Sequence, residues 1–210
     1  MTATKLSADL LFQFAKNRRT YYALSKNLPS GVTPSRITDM VNNTILHAPS
    51  GFNAQPTRAV VLFGAEHDRL WDLTRDALKK IVPEDKWQHT ADRMAMFRAA
   101  AGTVMFFDDA ASTRAMQEKF PMYKDKMPHF ATQAGAMAQY LLWTGLEAEG
   151  LGANLQHYNP IISKDVLDTW GLPEDWTLDA QLVFGGKTNE AGEKTALPIE
   201  DRVKTFGANL

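Results

Sequence analysis

Two polar segments of the sequence contain the residue types that could bind a ligand. The longer one is Pro-Ser-Gly-Phe-Asn-Ala-Gln-Pro at residues 49–56, in which a hydroxyl and two side-chain amides lie between two prolines. Proline fixes φ, and Gly and Asn tolerate unusual backbone angles, so the polar groups are held in set directions. Asn53 and Gln55 each offer a donor and an acceptor, as the edge of a flat heteroaromatic ligand requires. The segment predicts either a binding loop for such a ligand or an ordinary helix-to-strand turn.

The shorter segment is Arg18-Arg19-Thr20, which combines two permanent cations with a hydroxyl. A planar guanidinium group matches phosphate oxygens with a fork of donors, so the segment predicts a phosphate clamp or a clamp at a cofactor edge. Adjacent arginines at the end of a surface helix are also often only a solvated cap, and this alternative stays open. A phosphate site needs converging partners, which Lys194 or Arg202 could supply.

The absence of cysteine and the positions of the histidines and glycines exclude several classes of site. The sequence has no cysteine, so disulfides, thiolate metal sites, iron–sulfur clusters and a cysteine nucleophile are excluded, and redox chemistry requires a bound cofactor. No two of the five histidines stand four residues apart, so no catalytic metal is predicted. His157, which directly follows residues 150–156, is the histidine retained as a candidate, although a lone histidine is more often structural. Gly150-Leu151-Gly152 lacks the third glycine of a dinucleotide motif and follows a helical segment, which excludes a Rossmann site.

Length and charge favour one globular domain over residues 1–210. The chain contains 23 basic and 24 acidic residues, which gives no general electrostatic reason to bind nucleic acid or an anionic membrane. No apolar run approaches the ~18 residues of a membrane span, and Lys5 and Asp9 interrupt the N-terminal segment. We therefore expect a cytoplasmic protein that has neither nucleic acid nor a membrane as its partner.

The spacing of apolar residues predicts the elements that position these segments. Helices are expected over residues 7–17, 34–48, 66–81, 84–99, 113–120, 131–149 and 160–170, and strands over 59–63, 102–107, 151–156 and 180–184. Helices outnumber strands, so the predicted fold is α+β, a small mixed central sheet surrounded by helices. The connection over 120–130 is rich in aromatic residues and methionine; it could line a pocket or fill space under a loop.

Taken in order, these segments resemble the FMN-dependent nitroreductase family over nearly the whole chain. The family has an Arg-Arg/His-Ser/Thr element after its first helix, matched by Arg18-Arg19-Thr20, and a Pro-Ser-x-x-Asn-x-Gln-Pro loop before its first strand, matched by residues 49–56. A long helix then leads into Gly150-Leu151-Gly152, and the basic residue Lys194 follows the last strand. The chain looks most similar to the short fungal and bacterial subgroup of fatty-acid-repression-mutant-like proteins.

The resemblance implies a nitroreductase-like fold and an intertwined homodimer with tightly bound FMN at the subunit interface. The positions that match the family's cofactor site are Arg18, Arg19, Thr20, Tyr22, Pro49, Ser50, Asn53, Gln55, Leu155, Gln156, His157, Lys194 and Arg202. Of these, Ser50, Asn53 and Gln55 would come partly from the other subunit. Residues 155–157 would pass beside the isoalloxazine ring.

Two positions depart from the family's pattern. Tyr22 stands where relatives often have a basic residue near the flavin N1 and C2=O edge, and Arg19 is the expected substitute. Ala196 stands where many relatives have a second basic residue beyond Lys194, and Arg202 is expected to replace it.

The implied activity moves reducing equivalents from NADH or NADPH through the flavin to a nitroaromatic, quinone or similar small acceptor. The flavin does the bond chemistry, so no catalytic acid, base or nucleophile is assigned. The expected acceptor pocket contains Phe120, Met122, Tyr123, Met127 and Phe130. A flavin-binding sensor or regulatory protein, tied to lipid or oxidative stress, needs the same FMN site and is the alternative. A cofactor-free structural dimer is the third possibility.

Overall fold

The computed structural model describes residues 7–208, which form seven α-helices and five β-strands. The helices are α1 (Ala8–Asn17), α2 (Pro34–His47), α3 (Gly64–Lys79), α4 (Glu84–Arg98), α5 (Ala110–Lys119), α6 (Met127–Ala148) and α7 (Ser163–Trp170). The strands are β1 (Leu24–Ser25), β2 (Thr57–Phe63), β3 (Gly102–Asp109), β4 (Leu151–Gln156) and β5 (Trp176–Lys187). Short 3₁₀ turns cover Gly51–Asn53 and Pro121–Lys126.

The strands form one sheet in which β5 pairs with β1, β3 and β4, and β3 also pairs with β2. The predicted α+β class is confirmed, but every pairing within residues 7–208 is antiparallel, which corrects the expectation of a mixed sheet. Two helices, α3 and α4, connect β2 to β3. The chain therefore leaves the sheet after β2 and re-enters it in the opposite direction at the neighbouring strand β3.

Helices cover both faces of this sheet, and β3 shows why its sequence is continuously apolar. Val104 and Phe106 pack into the core cluster formed with α2 and α6. Met105 and Phe107 point the other way, into the cluster formed with α3, α4 and α7. Successive side chains of a strand point to opposite faces, so a strand that is covered on both sides needs apolar residues at every position.

The structure contains every predicted helix and strand, with differences at their ends. Helix α6 begins at Met127, earlier than expected, and β5 extends from Trp176 to Lys187, well beyond the predicted 180–184. Strand β1 was not predicted because two residues, paired with Lys187 and Gly186, are too few to show a periodicity. Within the described range, no helix has both the length and the apolar content that crossing a membrane requires.

Helix α6 is buried on one side only, although its composition is apolar almost all round. Ala134, Ala138 and Leu142 lie in the core against the sheet. On the opposite side, Tyr140 is 47% exposed and Leu141 is 43% exposed. Helix α6 therefore presents an apolar face that residues 7–208 leave partly exposed.

Candidate functional site

The Arg18-Arg19-Thr20 segment runs beside strand β4. Arg18 ends helix α1, and the following residues are extended. The backbone N–H of Tyr21 donates to the carbonyl of Ala153 at 3.0 Å, and the side-chain amide of Asn154 donates to the carbonyl of Tyr21 at 2.8 Å. These two bonds fix the arginine segment against β4.

A cleft of about 390 Å³ opens beside this segment. It is lined by Arg18, Arg19, Thr20, Tyr22, Gly192, Glu193 and Lys194. The structure thus brings together the first motif and Lys194, which are far apart in the sequence. Three cations and one carboxylate line the cleft, and this charge balance suits an anionic ligand.

Arg18 and Arg19 are held differently in this cleft. The Arg18 guanidinium lies 4.4 Å from the centre of the Trp143 ring, and its Nε–H is buried without a hydrogen-bond partner among residues 7–208. Arg19 donates to the backbone carbonyl of Gly192, which ties the arginine segment to the C-terminal segment. A buried donor without an acceptor is costly, so the unpaired Nε–H of Arg18 favours a ligand that carries acceptor oxygens.

Strand β4 carries the predicted residues 155–157 to the same side of the fold. Gln156 donates from its side-chain amide to Oδ1 of Asn154 at 2.8 Å, and Asn154 in turn binds Tyr21. His157 follows the end of β4 and is exposed. Arg202 lies on the exposed C-terminal segment and is not among the residues that line this cleft, so its expected role beside Lys194 stays a prediction.

The second motif forms a turn with an unusual backbone. Phe52, Asn53 and Gln55 all have positive φ values, of 55°, 54° and 50°. The Ser50 hydroxyl accepts from the Gln55 N–H at 2.9 Å, and the Ser50 carbonyl accepts from the Asn53 N–H at 3.0 Å. Left-handed backbone at residues other than glycine is costly and occurs often at functional sites. The turn was predicted from its prolines and glycine, whereas its left-handed stretch falls on residues that are not glycine.

This turn lies at a different pocket from the arginine cleft. Pro49, Ser50 and Gln55 line a space of about 60 Å³ between α2, β2 and α6. None of the residues that line the arginine cleft also lines this space. Within one chain, therefore, the two predicted motifs lie at separate sites.

An ion pair that the sequence did not reveal lies directly behind the turn. Arg58 donates to the carbonyl of Gln55 at 2.7 Å and pairs with the Asp109 carboxylate at 2.5 Å. Asp109 also accepts from the Ser112 hydroxyl at 2.7 Å and from the Ala111 N–H at 3.1 Å. Partial burial opposes ionisation of Asp109, but the Ser112 bond, the Arg58 charge and the backbone donors together lower its pKa. No spacing rule joins residues 58 and 109, because only the pairing of β2 with β3 brings them together.

Three of the five expected acceptor residues surround Phe52, which was not predicted as a site residue. The Phe52 ring lies 4.5 Å from that of Phe120, 5.5 Å from that of Tyr123 and 6.2 Å from that of Phe130, measured between ring centres. Met122, by contrast, is 95% exposed and points away from this aromatic cluster. The remaining expected residue, Met127, is buried beneath the turn.

Asp108 and Asp179 form a carboxyl pair between the sheet and α6. Asp108 pairs with Thr57 across β2 and β3, and Asp179 accepts from the Gln139 side chain at 2.6 Å. Burial, with a smaller contribution from the Asp179 charge, raises the pKa of Asp108 to about 6. The register shift between β3 and β5 occurs at Phe106 and Phe107, directly beside this pair.

Comparison with known proteins shows the family to which this chain is related. The model of the nitroreductase family matches residues 15–186, a range that includes both motifs and all of the sheet except Lys187. The chain belongs to the nitroreductase family. This nitroreductase chain is 39% identical to the nitroreductase HBN1 of Saccharomyces cerevisiae over 189 residues, which cover 90% of this chain and 93% of that protein. It is 36% identical to FRM2 of the same yeast, with 85% of this chain and 89% of FRM2 covered.

A solved structure extends the comparison of this nitroreductase to three dimensions. The nitroreductase CinD from Lactococcus lactis, in complex with chloramphenicol, superimposes with a TM-score of 0.85 at 36% identity. The match covers 93% of this chain and 99% of CinD. CinD has also been solved in complex with 4-nitrophenol. The predicted family is thus confirmed, and the chain is an oxidoreductase of the nitroreductase type.

Proposed function

We propose that this chain is a single FMN-binding domain over residues 1–210 that moves reducing equivalents from NADH or NADPH to a nitroaromatic, quinone or similar acceptor. The observation that carries the proposal is the arginine cleft. It combines two guanidinium groups, a hydroxyl and Lys194 around an unpaired buried donor of Arg18. Family membership supports the oxidoreductase class.

The residues of the cleft suit the parts of FMN. The phosphate requires cations with multiple donors, which Arg18 and Lys194 supply. Thr20 supplies a hydroxyl for the ribityl chain or the ring edge, and Gln156 lies nearby on β4. Bound FMN supplies the hydride chemistry, and the protein supplies binding and orientation. Arg19 is the cation for the electron-rich ring edge, because Tyr22 stands where relatives often have a basic residue.

A homodimer with FMN between its subunits is part of this proposal. The Arg18 cleft and the Ser50 turn lie at separate pockets of one chain, so a ligand that uses both motifs requires a second copy. The uncovered face of α6 borders a groove of about 460 Å³ against α2, which offers apolar surface for that copy. The C-terminal segment also carries exposed apolar side chains, at Leu197, Ile199, Val203 and Phe206.

The aromatic cluster around Phe52 is the proposed wall of the acceptor site. Phe120, Tyr123 and Phe130 surround Phe52 and together offer faces on which a planar acceptor can stack. The complexes of CinD with 4-nitrophenol and chloramphenicol support a nitroaromatic acceptor. A cytoplasmic location, where NADH and NADPH are available, completes the proposal.

The test begins with the visible spectrum of the purified protein, followed by NADH and NADPH oxidation with 4-nitrophenol-type and quinone acceptors. The proposal expects flavin absorbance and acceptor-dependent turnover. Protein that carries FMN but turns over no acceptor would support a sensor or regulatory role instead. Colourless protein that also fails to bind added FMN would overturn the proposal.

A further inference from the structure

The turn over residues 50–56 has a shape that its own residues do not favour. Phe52, Asn53 and Gln55 all lie in the left-handed region, where a Cβ atom is crowded by its backbone. Asn tolerates this region, but Phe and Gln seldom occupy it. Such a turn persists only where surrounding groups hold it in place.

Arg58 is the side chain that holds the end of this turn. One terminal nitrogen of its guanidinium donates to the carbonyl of Gln55 at 2.7 Å and to that of Thr57 at 3.2 Å. The other terminal nitrogen donates to Asp109 and, at 3.1 Å, to the Ser112 hydroxyl. The two nitrogens of one planar group therefore join the turn to the start of helix α5.

Asp109 fixes the opposite end of the same connection. Its N–H donates to the carbonyl of Pro56 at 2.8 Å, and its carboxylate caps α5 through the Ala111 N–H at 3.1 Å. The Asp109 side chain is 11% exposed and that of Arg58 is 31% exposed, so the pair is shielded from water more than the surface ion pairs of the chain are. A charged pair that is partly buried and hydrogen-bonded at several atoms defines geometry more firmly than a surface pair.

We infer that Arg58 and Asp109 are positioning residues for the cofactor site: they hold the left-handed turn so that Ser50, Asn53 and Gln55 meet the flavin in a fixed arrangement. The inference rests on the proposed function, because it assigns FMN to this turn. Neither residue needs to contact FMN, since their bonds reach the backbone carbonyls of Gln55 and Pro56. Their effect passes through the shape of the turn.

The substitution Arg58→Lys keeps the positive charge of the side chain and changes its shape, so it tests the two properties separately. Lysine keeps the attraction to Asp109, but a single ammonium group cannot serve the Gln55 carbonyl and the Asp109–Ser112 pair from two separate nitrogens. Asp109→Asn keeps the shape of the other partner and removes its charge. A matched control is Arg114→Lys, because Arg114 on the same helix α5 pairs with Asp175 at 2.6 Å and has no bond to the turn.

The experiment uses the full-length protein with its bound flavin and measures three quantities. These are the FMN release rate after dilution, the amide hydrogen exchange of peptides that cover 50–56, and the thermal unfolding midpoint. For Arg58→Lys and Asp109→Asn we expect release about 10- to 100-fold faster, as for the loss of a charge-assisted bond. Exchange should rise in the 50–56 peptides, while the unfolding midpoint of Arg58→Lys stays within a few degrees of the wild type. Arg114→Lys should match the wild type in release and exchange.

Two results would overturn the inference while leaving the proposed function intact. One is wild-type FMN release in both Arg58→Lys and Asp109→Asn. The other is a rise in exchange that spreads over the whole sheet together with a large fall in the unfolding midpoint, which would mark a merely structural pair. A wild-type protein that binds no FMN would instead contradict the proposed function itself.

Discussion

The rings of Phe52 and Phe120 stack with their centres 4.5 Å apart and their planes 23° from parallel. Phe52 belongs to the turn before β2, and Phe120 belongs to the connection between α5 and α6. This contact joins the proposed cofactor turn to the aromatic cluster that we assign to the acceptor site. Changes to the cluster should therefore affect the acceptor more than the cofactor.

The first prediction concerns Phe52→Leu. Loss of aromatic stacking should raise KM for a nitroaromatic acceptor about 3- to 10-fold, because an aromatic pair contributes roughly 0.5–1.5 kcal/mol beyond buried area. FMN retention should stay at the wild-type level. Steady-state kinetics at fixed NADH or NADPH measure the effect. Met122→Leu is the control, since Met122 is 95% exposed, and equal KM values for the two variants would contradict the assignment.

The second prediction separates the Asn53 side chain from its backbone. Asn53 has a φ of 54°, so Asn53→Ala removes the amide and also strains the turn, whereas Asn53→Gly removes the amide and keeps the left-handed shape accessible. Both variants should lose FMN on dilution if the amide binds the flavin. Fluorescence of released FMN measures the loss. Full retention by Asn53→Gly would show that the amide does not bind the cofactor.

The third prediction tests which residues hold the phosphate. Lys194→Gln should weaken FMN binding about 10- to 100-fold but change riboflavin binding far less, because riboflavin has no phosphate. Arg19→Gln should weaken the binding of both flavins, because Arg19 is assigned to the ring edge that they share. Titrations of flavin-depleted protein with both ligands give the ratio. Lys164→Gln is the control, because Lys164 pairs with Asp168 on the surface of α7. An equal loss of both flavins in Lys194→Gln would move Lys194 away from the phosphate, and a loss of FMN alone in Arg19→Gln would move Arg19 away from the ring edge.

The fourth prediction uses the raised pKa of Asp108. Burial and the neighbouring Asp179 raise this pKa to about 6, so the folded chain binds more protons than the unfolded chain between pH 4 and 6. Its ionised form therefore destabilises the fold at pH 7.5, and the effect fades as the pH falls. Asp108→Asn should raise the free energy of unfolding by about 1 to 2 kcal/mol at pH 7.5 and by little at pH 4.5. Urea denaturation measures the free energy of unfolding at both pH values, and an equal gain at pH 7.5 and pH 4.5 would contradict the prediction.

The fifth prediction concerns His67, whose pKa burial lowers to about 4. His67 contacts the Thr103 hydroxyl at 2.9 Å and the Phe97 carbonyl at 3.1 Å, and Trp71 donates to the same hydroxyl at 3.1 Å. The carbonyl can only accept, so Nε2 carries the proton, and the neutral ring satisfies each partner.

The unfolded chain binds a proton on His67 between pH 6.5 and 4 while the folded chain does not, so His67 makes the fold less stable as the pH falls through that range. His67→Gln should be destabilised at pH 7.5, and its gap to the wild type should narrow by about 2 to 3 kcal/mol on going to pH 4.5. Urea denaturation measures both values. A gap that does not change with pH would show that His67 binds its proton equally well in the folded and the unfolded chain.

The local elements of this fold could be predicted because their signals lie close together in the chain. Pro34 opens α2, and Pro49 follows it closely after the helix has ended at His47. The apolar run from Gly102 matches β3, and Gly150 follows α6 with a φ of 83°. Strand β5 and helix α6 begin earlier than predicted. Pairing with β3 extends β5, and packing against the sheet extends α6, beyond their local sequence patterns.

The sequence by itself determined the chemistry available to this protein: a cysteine-free chain with two arginines and a hydroxyl after the first helix, and two amides in a proline-bounded turn. These are properties of residue type and short spacing. The tertiary structure decided which of these residues meet. It joined Lys194 to the arginine segment, put the two motifs at separate pockets, and paired Arg58 with Asp109 across β2 and β3. Such contacts depend on strand pairing between distant segments, and no local pattern encodes their partners.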